Sequence, residues 1–156
     1  FCLSRGLGDV YKRQTQDSEK LNPRGLLKHI SEIIEKKKEA LNEIVIRRIM
    51  SAIYFALFNY WSLKSYYKRS QGEGSFRDAF PYSLFHEELL EKGLDYAVYT
   101  IYLYRVAADH YALNPTRVKL TSRPWKDIEV YVEINSEAIE KVLEVAIDIS
   151  KALEQS

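Results

Sequence analysis

Three ionisable side chains stand close together near the end of an apolar stretch of the sequence. They are Arg105, Asp109 and His110, and Asp95 is the only other charged residue in 94–113. A charge among apolar neighbours needs a partner, because burying it unpaired is costly. Asp109 lies one helical turn beyond Arg105 and is the candidate partner. A structural interpretation stays open, in which Arg105 and Asp109 form a buried ion pair and His110 is a polar interface residue.

A second candidate cluster follows this stretch. Residues 117–126 carry basic side chains and a tryptophan, with no acid before Asp127. Basic residues can follow the phosphates of a single strand, and an aromatic ring can stack on a base. The segment is therefore a candidate RNA-binding border of the same groove, and an exposed charged loop is the alternative. Its members are Arg117, Lys119, Arg123, Trp125 and Lys126.

Helices must position both clusters. Apolar residues recur at spacings of three and four over Pro23 to Glu39, 41–68, 82–92, Leu94 to Leu113 and a segment that Asn135 or Ser136 caps. The predicted fold class is an all-α bundle of about five helices. Residues 116–135 are predicted to be irregular, although Glu129 to Ile134 alternates loosely and could be extended.

The 94–113 helix is predicted to be buried on two sides. At about 100° per residue, Val98 and Ile101 lie on one face and Leu103 and Val106 on nearly the opposite one. One face can join the core, and a second subunit is the simplest cover for the other, so we expect a homodimer through this helix. The side chain of His110 points about 140° away from that of Arg105. We therefore expect that two copies of the helix, rather than one, bring such a pair together.

Composition narrows the class of protein. The chain has 156 residues, and 23 basic against 22 acidic residues give a net charge of +1, so nucleic-acid binding would need a local patch. The single Cys2 excludes an internal disulfide and a cysteine-based zinc site, and it fits a reducing cytosol. The apolar run from Ile49 to Leu63 is too short for a membrane span. We expect a cytoplasmic protein with no metal, cofactor or membrane partner.

The first residues differ in character from the rest. FCLSRGLGDVYKRQ (1–14) resembles a translated sequencing-adapter tail, and a natural disordered N-terminus is the alternative. We expect residues 1–21 to be disordered or artefactual and residues 22–156 to form a single domain. The QGEGS segment (71–75) is predicted to be a flexible loop.

Two stretches resemble the HEPN domain family. YRVAADHY (104–111) is similar to the family's R-x4-6-H motif, and RRIMSAIYFALFNY (47–60) is similar to its aromatic-rich helix. The short helix, the motif helix and the terminal amphipathic helix also follow in the family's order. The resemblance covers about residues 22–154 and implies an HEPN-like bundle.

The resemblance also implies an activity. Family members with an intact motif are metal-independent endoribonucleases that act as dimers, commonly as toxins or in defence. By this resemblance Arg105 would hold the scissile phosphate, and His110 would act as general acid or base on the 2′-hydroxyl or the leaving 5′-oxygen. Asp109 and Tyr111 would support them. The products would carry 2′,3′-cyclic phosphate and 5′-hydroxyl ends. Active members often carry Asn, Asp or His after the arginine, whereas this chain has Val106.

The resemblance leaves a second interpretation open. Some HEPN proteins are non-catalytic binding modules that partner a minimal nucleotidyltransferase. That partner can act as an antitoxin and modify a tyrosine, which usually stands two residues past the motif histidine. Here Tyr111 is adjacent to His110.

Overall fold

The computed structural model describes residues 12, 13, 16, 18–70 and 80–156. These residues form five main helices and a two-stranded sheet, which confirms the predicted all-α bundle. The elements are α1 (Arg24–Lys37), a 3-10 turn (Lys38–Ala40), α2 (Glu43–Ser70), α3 (Tyr82–Glu91), α4 (Asp95–His110), β1 (Thr116–Lys119), β2 (Glu129–Val132) and α5 (Ser136–Glu154). Residues 18–21 are also helical, ahead of the predicted domain start. The predicted loop at 71–75 and residues 1–11 lie outside the described residues.

Helix α2 runs through the centre of the bundle. Its apolar residues occupy most of its circumference, as a helix with neighbours on several sides requires. Ile53, Tyr54 and Leu57 are completely buried, and α4 and α5 both pack against this helix. No helix in the described ranges is long and apolar enough to cross a membrane.

Helix α5 closes one side of the core with a single apolar stripe. The Oδ1 atom of Asn135 accepts a hydrogen bond from the backbone N–H of Ala138 at 2.9 Å, so the predicted cap is confirmed. The stripe predicted from the sequence is buried along its length, and its members are Ala138, Ile139, Val142, Leu143, Ala146, Ile149 and Leu153.

Helix α4 ends earlier than predicted, and a hairpin follows it. The helix stops at His110 rather than Leu113. Strands β1 and β2 then pair antiparallel, with Thr116 opposite Val132 and Lys119 opposite Glu129. Residues 116–119 are therefore extended rather than irregular, whereas the extended segment near 129–134 is confirmed.

The segment after α4 folds back over the helix. Leu103 and Val106 are only 6% and 7% exposed within one chain. Nearby, the ring of Tyr99 packs edge-on against that of Trp125, with centroids 5.6 Å apart. The second apolar face of α4 is thus covered by its own chain. The premise that this face needs a second subunit was wrong, because the sequence pattern does not reveal that a later segment returns to it.

Candidate active site

Arg105 lies in a cage of aromatic rings. Its guanidinium carbon is 4.9–5.8 Å from the ring centroids of Tyr54, Phe55, Tyr82 and Tyr102. The residue is 6% exposed, and its Nε atom is buried without a hydrogen-bond partner. Rings attract a cation through their negative faces, but they cannot accept the hydrogen bonds that a guanidinium donates in its plane. The side chain is therefore held in place while part of its bonding capacity stays unused.

Arg105 and His110 approach each other within one chain. The Nη1 atom of Arg105 donates to Nε2 of His110 at 3.4 Å. The expectation that one helix could not join them was wrong, because a helical wheel ignores the length of the arginine side chain. A guanidinium has no acceptor, so Nε2 of His110 is the acceptor in this contact. The imidazole itself is exposed at the end of α4.

Asp109 forms only a weak ion pair with Arg105. Its Oδ2 atom is 4.0 Å from Nε of Arg105, which is beyond hydrogen-bond distance. The same oxygen accepts a hydrogen bond from Oγ of Ser51 at 3.2 Å. The predicted pairing is therefore present as a long ion pair, and Ser51 of α2 restrains the carboxylate.

These groups line an open cleft of about 750 Å³. One wall of the cleft is formed by Phe55, Pro81 and Tyr82. At the end of α4 the cleft is lined by Arg105, Asp109 and His110. Lys119, Thr121 and Ser122, from β1 and the residues after it, also line the cleft. Such a volume is in the range of small-molecule sites and exceeds what a single phosphate needs. The described residues include no cluster of three or more His, Cys, Asp or Glu side chains that could hold a metal ion.

Tyr111 joins the helix end to the hairpin. Its hydroxyl accepts a hydrogen bond from the backbone N–H of Lys119 at 2.8 Å. Tyr111 also lines the cleft, with its hydroxyl held by β1. Tyr111 therefore positions Lys119 relative to His110. Sequence analysis missed this contact because no local pattern indicates that the chain turns back on itself between the two residues.

The five residues of the basic segment have different surroundings. Lys119 lines the cleft, with its ammonium 3.7 Å from Asp127. Arg117 is exposed beside Glu129, and Arg123 borders a neighbouring hollow with Arg69 and Glu87. Lys126 is exposed outside the residues that line the cleft.

Trp125 differs from its prediction most. Its ring is half-buried and packs against His86 and Tyr102, with centroids 5.2 Å and 6.0 Å apart. Trp125 is also not among the residues that line the cleft, so its ring is not placed to stack on a base bound there. Trp125 is better described as a packing residue, and the wall formed by Phe55 and Tyr82 is the aromatic surface that the cleft presents.

A second histidine supports the cage from inside. Nε2 of His86 accepts from the Tyr54 hydroxyl at 2.8 Å, and its Nδ1 donates to the carbonyl of Arg123 at 3.1 Å. Burial lowers the pKa of His86 to about 4, and the nearby Arg105 charge acts in the same direction. Burial also raises the pKa of Tyr54 far above its ordinary range, so its hydroxyl keeps the donated proton. His86 is thus a neutral structural group.

Arg47 holds the end of α4 in place. The sequence analysis named this residue only as part of an aromatic-rich helix. Its Nη1 atom donates to the carbonyls of Ala107, Ala108 and Tyr111 at 3.1, 3.2 and 2.5 Å. Its Nη2 atom forms an ion pair with Glu43 at 2.8 Å. The backbone on both sides of His110 is therefore tied to α2.

Comparisons with models of known families, with curated proteins and with solved structures gave no match.

Proposed function

We propose that this protein is a metal-independent endoribonuclease of HEPN type that acts as a homodimer in the cytoplasm. The observation that carries the proposal is the Arg105–His110 contact of 3.4 Å at an open cleft, beside a guanidinium whose Nε has no hydrogen-bond partner. A phosphate oxygen in the cleft would accept hydrogen bonds from this guanidinium, since charge-assisted bonds from arginine to phosphate are strong. The resemblance of residues 104–111 to the R-x4-6-H motif supports the same roles.

The reaction uses groups that the cleft provides. Arg105 binds the scissile phosphate and offsets the charge that develops on its oxygens. Once Nη1 of Arg105 has turned from the imidazole to the phosphate, His110 takes the proton of the 2′-hydroxyl on Nε2. O2′ then bonds to phosphorus, and the bond from phosphorus to O5′ breaks. The products are a 2′,3′-cyclic phosphate and, once O5′ gains a proton, a 5′-hydroxyl.

The homodimer is proposed because the leaving oxygen needs a second acid. His110 is the histidine of one chain that lines the cleft, and it holds the first proton after the attack. A second copy would supply an imidazolium for O5′. Two exposed apolar side chains at the same end of the molecule offer a contact for that copy. Ile44 and Leu113 are 70% and 74% exposed, and Arg47, one turn from Ile44, bonds to the loop that carries Leu113.

The test is cleavage of a single-stranded RNA by the purified chain in the presence of a chelator. We expect His110→Ala to lower the rate by about 100- to 10,000-fold, which is the usual contribution of general acid–base catalysis. His29→Ala is the matched control, because His29 is an exposed histidine on α1. Cleavage at the wild-type rate by the His110→Ala protein would overturn the mechanism.

A non-catalytic RNA-binding module that partners a nucleotidyltransferase is the second candidate. The observation in its favour is Val106, which brings an apolar side chain to the cleft where active HEPN members often have a polar one. This candidate predicts salt-dependent RNA binding without cleavage, together with a stable complex with the transferase. The hydrogen bond between Tyr111 and Lys119 would have to open before such a partner could modify that hydroxyl.

A further inference from the structure

The cleft continues past the Arg105–His110 pair along an aromatic wall. Tyr82 is the first residue of α3 and is 37% exposed, and Phe55 of α2 is half-buried beside it with ring centroids 6.3 Å apart. Both side chains line the same open cleft as His110. The cleft therefore presents aromatic rings beside its charged groups.

The wall is rigid. The ring of Phe58 packs against that of Tyr82 at 4.8 Å, and Tyr54 lies 6.0 Å from the same ring. Phe55 also packs edge-on against Tyr54 at 5.5 Å. A preorganised aromatic surface loses little conformational entropy when a ligand stacks on it.

The distance from the wall to the candidate phosphate site is short. The guanidinium carbon of Arg105 is 5.0 Å from the ring centroid of Tyr82 and 5.1 Å from that of Phe55. A nucleotide carries its base one sugar away from its phosphate, so a phosphate at Arg105 brings the attached base to this wall. The cleft volume of about 750 Å³ leaves room for the sugar and base as well as the phosphate.

We propose that Phe55 and Tyr82 form a stacking site for an unpaired nucleobase next to the phosphate that Arg105 binds. This inference rests on the proposed function and deepens it, because it makes single-stranded RNA the substrate class. A base in a duplex is stacked on its neighbours and cannot offer its face to a protein ring. Stacking on an aromatic ring tolerates any base, so the site selects for unpaired structure rather than for sequence.

The test measures binding to the full chain carrying His110→Ala, which prevents cleavage during the titration. The probes are a labelled oligouridylate and the same sugar-phosphate strand without bases, followed by fluorescence anisotropy. We expect the oligouridylate to bind about 5- to 150-fold more tightly than the abasic strand, as one stacked base contributes about 1–3 kcal/mol. Adding Tyr82→Leu should weaken oligouridylate binding over the same range, and it should weaken abasic binding less because the abasic strand has no base to stack.

Two variants serve as controls in the same background. Tyr82→Phe keeps the ring and should bind like the parent protein. Tyr96→Leu removes an exposed tyrosine that packs near Lys141, outside the residues that line the cleft, and should also bind like the parent. The comparison of the two strands needs no change at Tyr82, so equal binding overturns the stacking site even if Tyr82→Leu does not fold.

The outcomes separate this inference from the proposed function. Equal binding of both strands overturns the stacking site and leaves the RNA role standing. Failure of both strands to bind overturns the RNA role and the stacking site together. A dimer that Tyr82→Leu converts to a monomer, with RNA affinity unchanged, assigns the wall to a second copy of the chain and overturns the inference.

Discussion

Arg47 Nη1 lies 2.5 Å from the carbonyl oxygen of Tyr111, the residue with which the chain leaves α4. The last carbonyls of a helix have no partner within the helix, and a guanidinium with several donors can bind more than one of them. Glu43 in turn holds this guanidinium, which keeps the pKa of Glu43 below its ordinary value through their hydrogen bond. The position of His110 therefore depends on a residue at the start of α2.

Arg47→Lys is expected to destabilise the protein and loosen the end of α4. A lysine is a single point donor and cannot serve Ala107, Ala108 and Tyr111 together. We expect a loss of about 1–3 kcal/mol in the free energy of unfolding, measured by urea denaturation, and faster amide exchange at residues 107–112. Arg48→Lys, at an exposed neighbouring position, should change neither quantity. Unchanged exchange at 107–112 would show that Arg47 does not hold the helix end.

His86 should make stability depend on pH. Its folded pKa of about 4 lies below the ordinary value of 6.5, so the unfolded chain binds more protons between these values. The contribution is complete above about pH 6.5 and is lost as the pH falls through 4. We expect a decrease of about 3 kcal/mol in the free energy of unfolding between pH 7 and pH 4 from this group.

The measurement compares His86→Phe with the parent protein by urea denaturation across that pH range. The variant is less stable at pH 7, because Tyr54 and the Arg123 carbonyl lose their partner. Its stability should nevertheless fall less steeply on acidification. His29→Phe, which alters an exposed histidine, should keep the parent's slope. Parallel curves for parent and His86→Phe would contradict the assignment.

Asn114 should be essential for the hairpin. Its Oδ1 atom accepts from the N–H of Ile134 at 2.7 Å, and its Nδ2 atom donates to the carbonyl of Ile134 at 2.8 Å. Asn114→Ala removes both bonds and leaves two partly buried backbone groups without partners. We expect a loss of about 2–4 kcal/mol, as each such group costs about 1–3 kcal/mol. Asn59→Ala, at an exposed position of α2, should cost little, and a similar loss in both variants would show that the bonds at Ile134 contribute nothing specific.

Arg105→Met distinguishes a binding role from a structural one. The cage attracts the cation by about 0.5–2 kcal/mol, whereas the unpartnered buried Nε costs about 1–3 kcal/mol. These effects nearly cancel, so we expect the free energy of unfolding to change by less than about 1 kcal/mol. RNA binding should weaken. A plot of the logarithm of the binding constant against the logarithm of the salt concentration should become less steep by about one unit, because one phosphate contact is lost. A large loss of stability with unchanged RNA affinity would favour the buried ion pair instead.

Periodicity predicted the helices because each buries a stripe that recurs at helical spacing, as the α5 residues from Ala138 to Leu153 show. Strand β1 was not predicted, because it has only four residues. Only one of them, Val118, is fully buried, so the strand shows no alternating apolar pattern. Its pairing with β2 depends on contacts across the intervening turn, which local sequence does not encode. The Arg105–His110 contact was missed for a related reason. A helical wheel gives only the direction in which each side chain leaves the helix. The contact also depends on the length of the arginine side chain, which the wheel ignores.

The hairpin that covers α4 has a second consequence. Lys119, Thr121 and Ser122 line the cleft, while Val118 and Leu120, on either side of Lys119, are completely buried in the core. The width of the cleft is therefore tied to the packing of the hydrophobic interior. A change in the turn at 121–128 could reshape the opening while the five helices stay where they are. The helical frame and the opening of the cleft can thus vary separately, and they meet where side chains alternate between core and cleft from Val118 to Thr121.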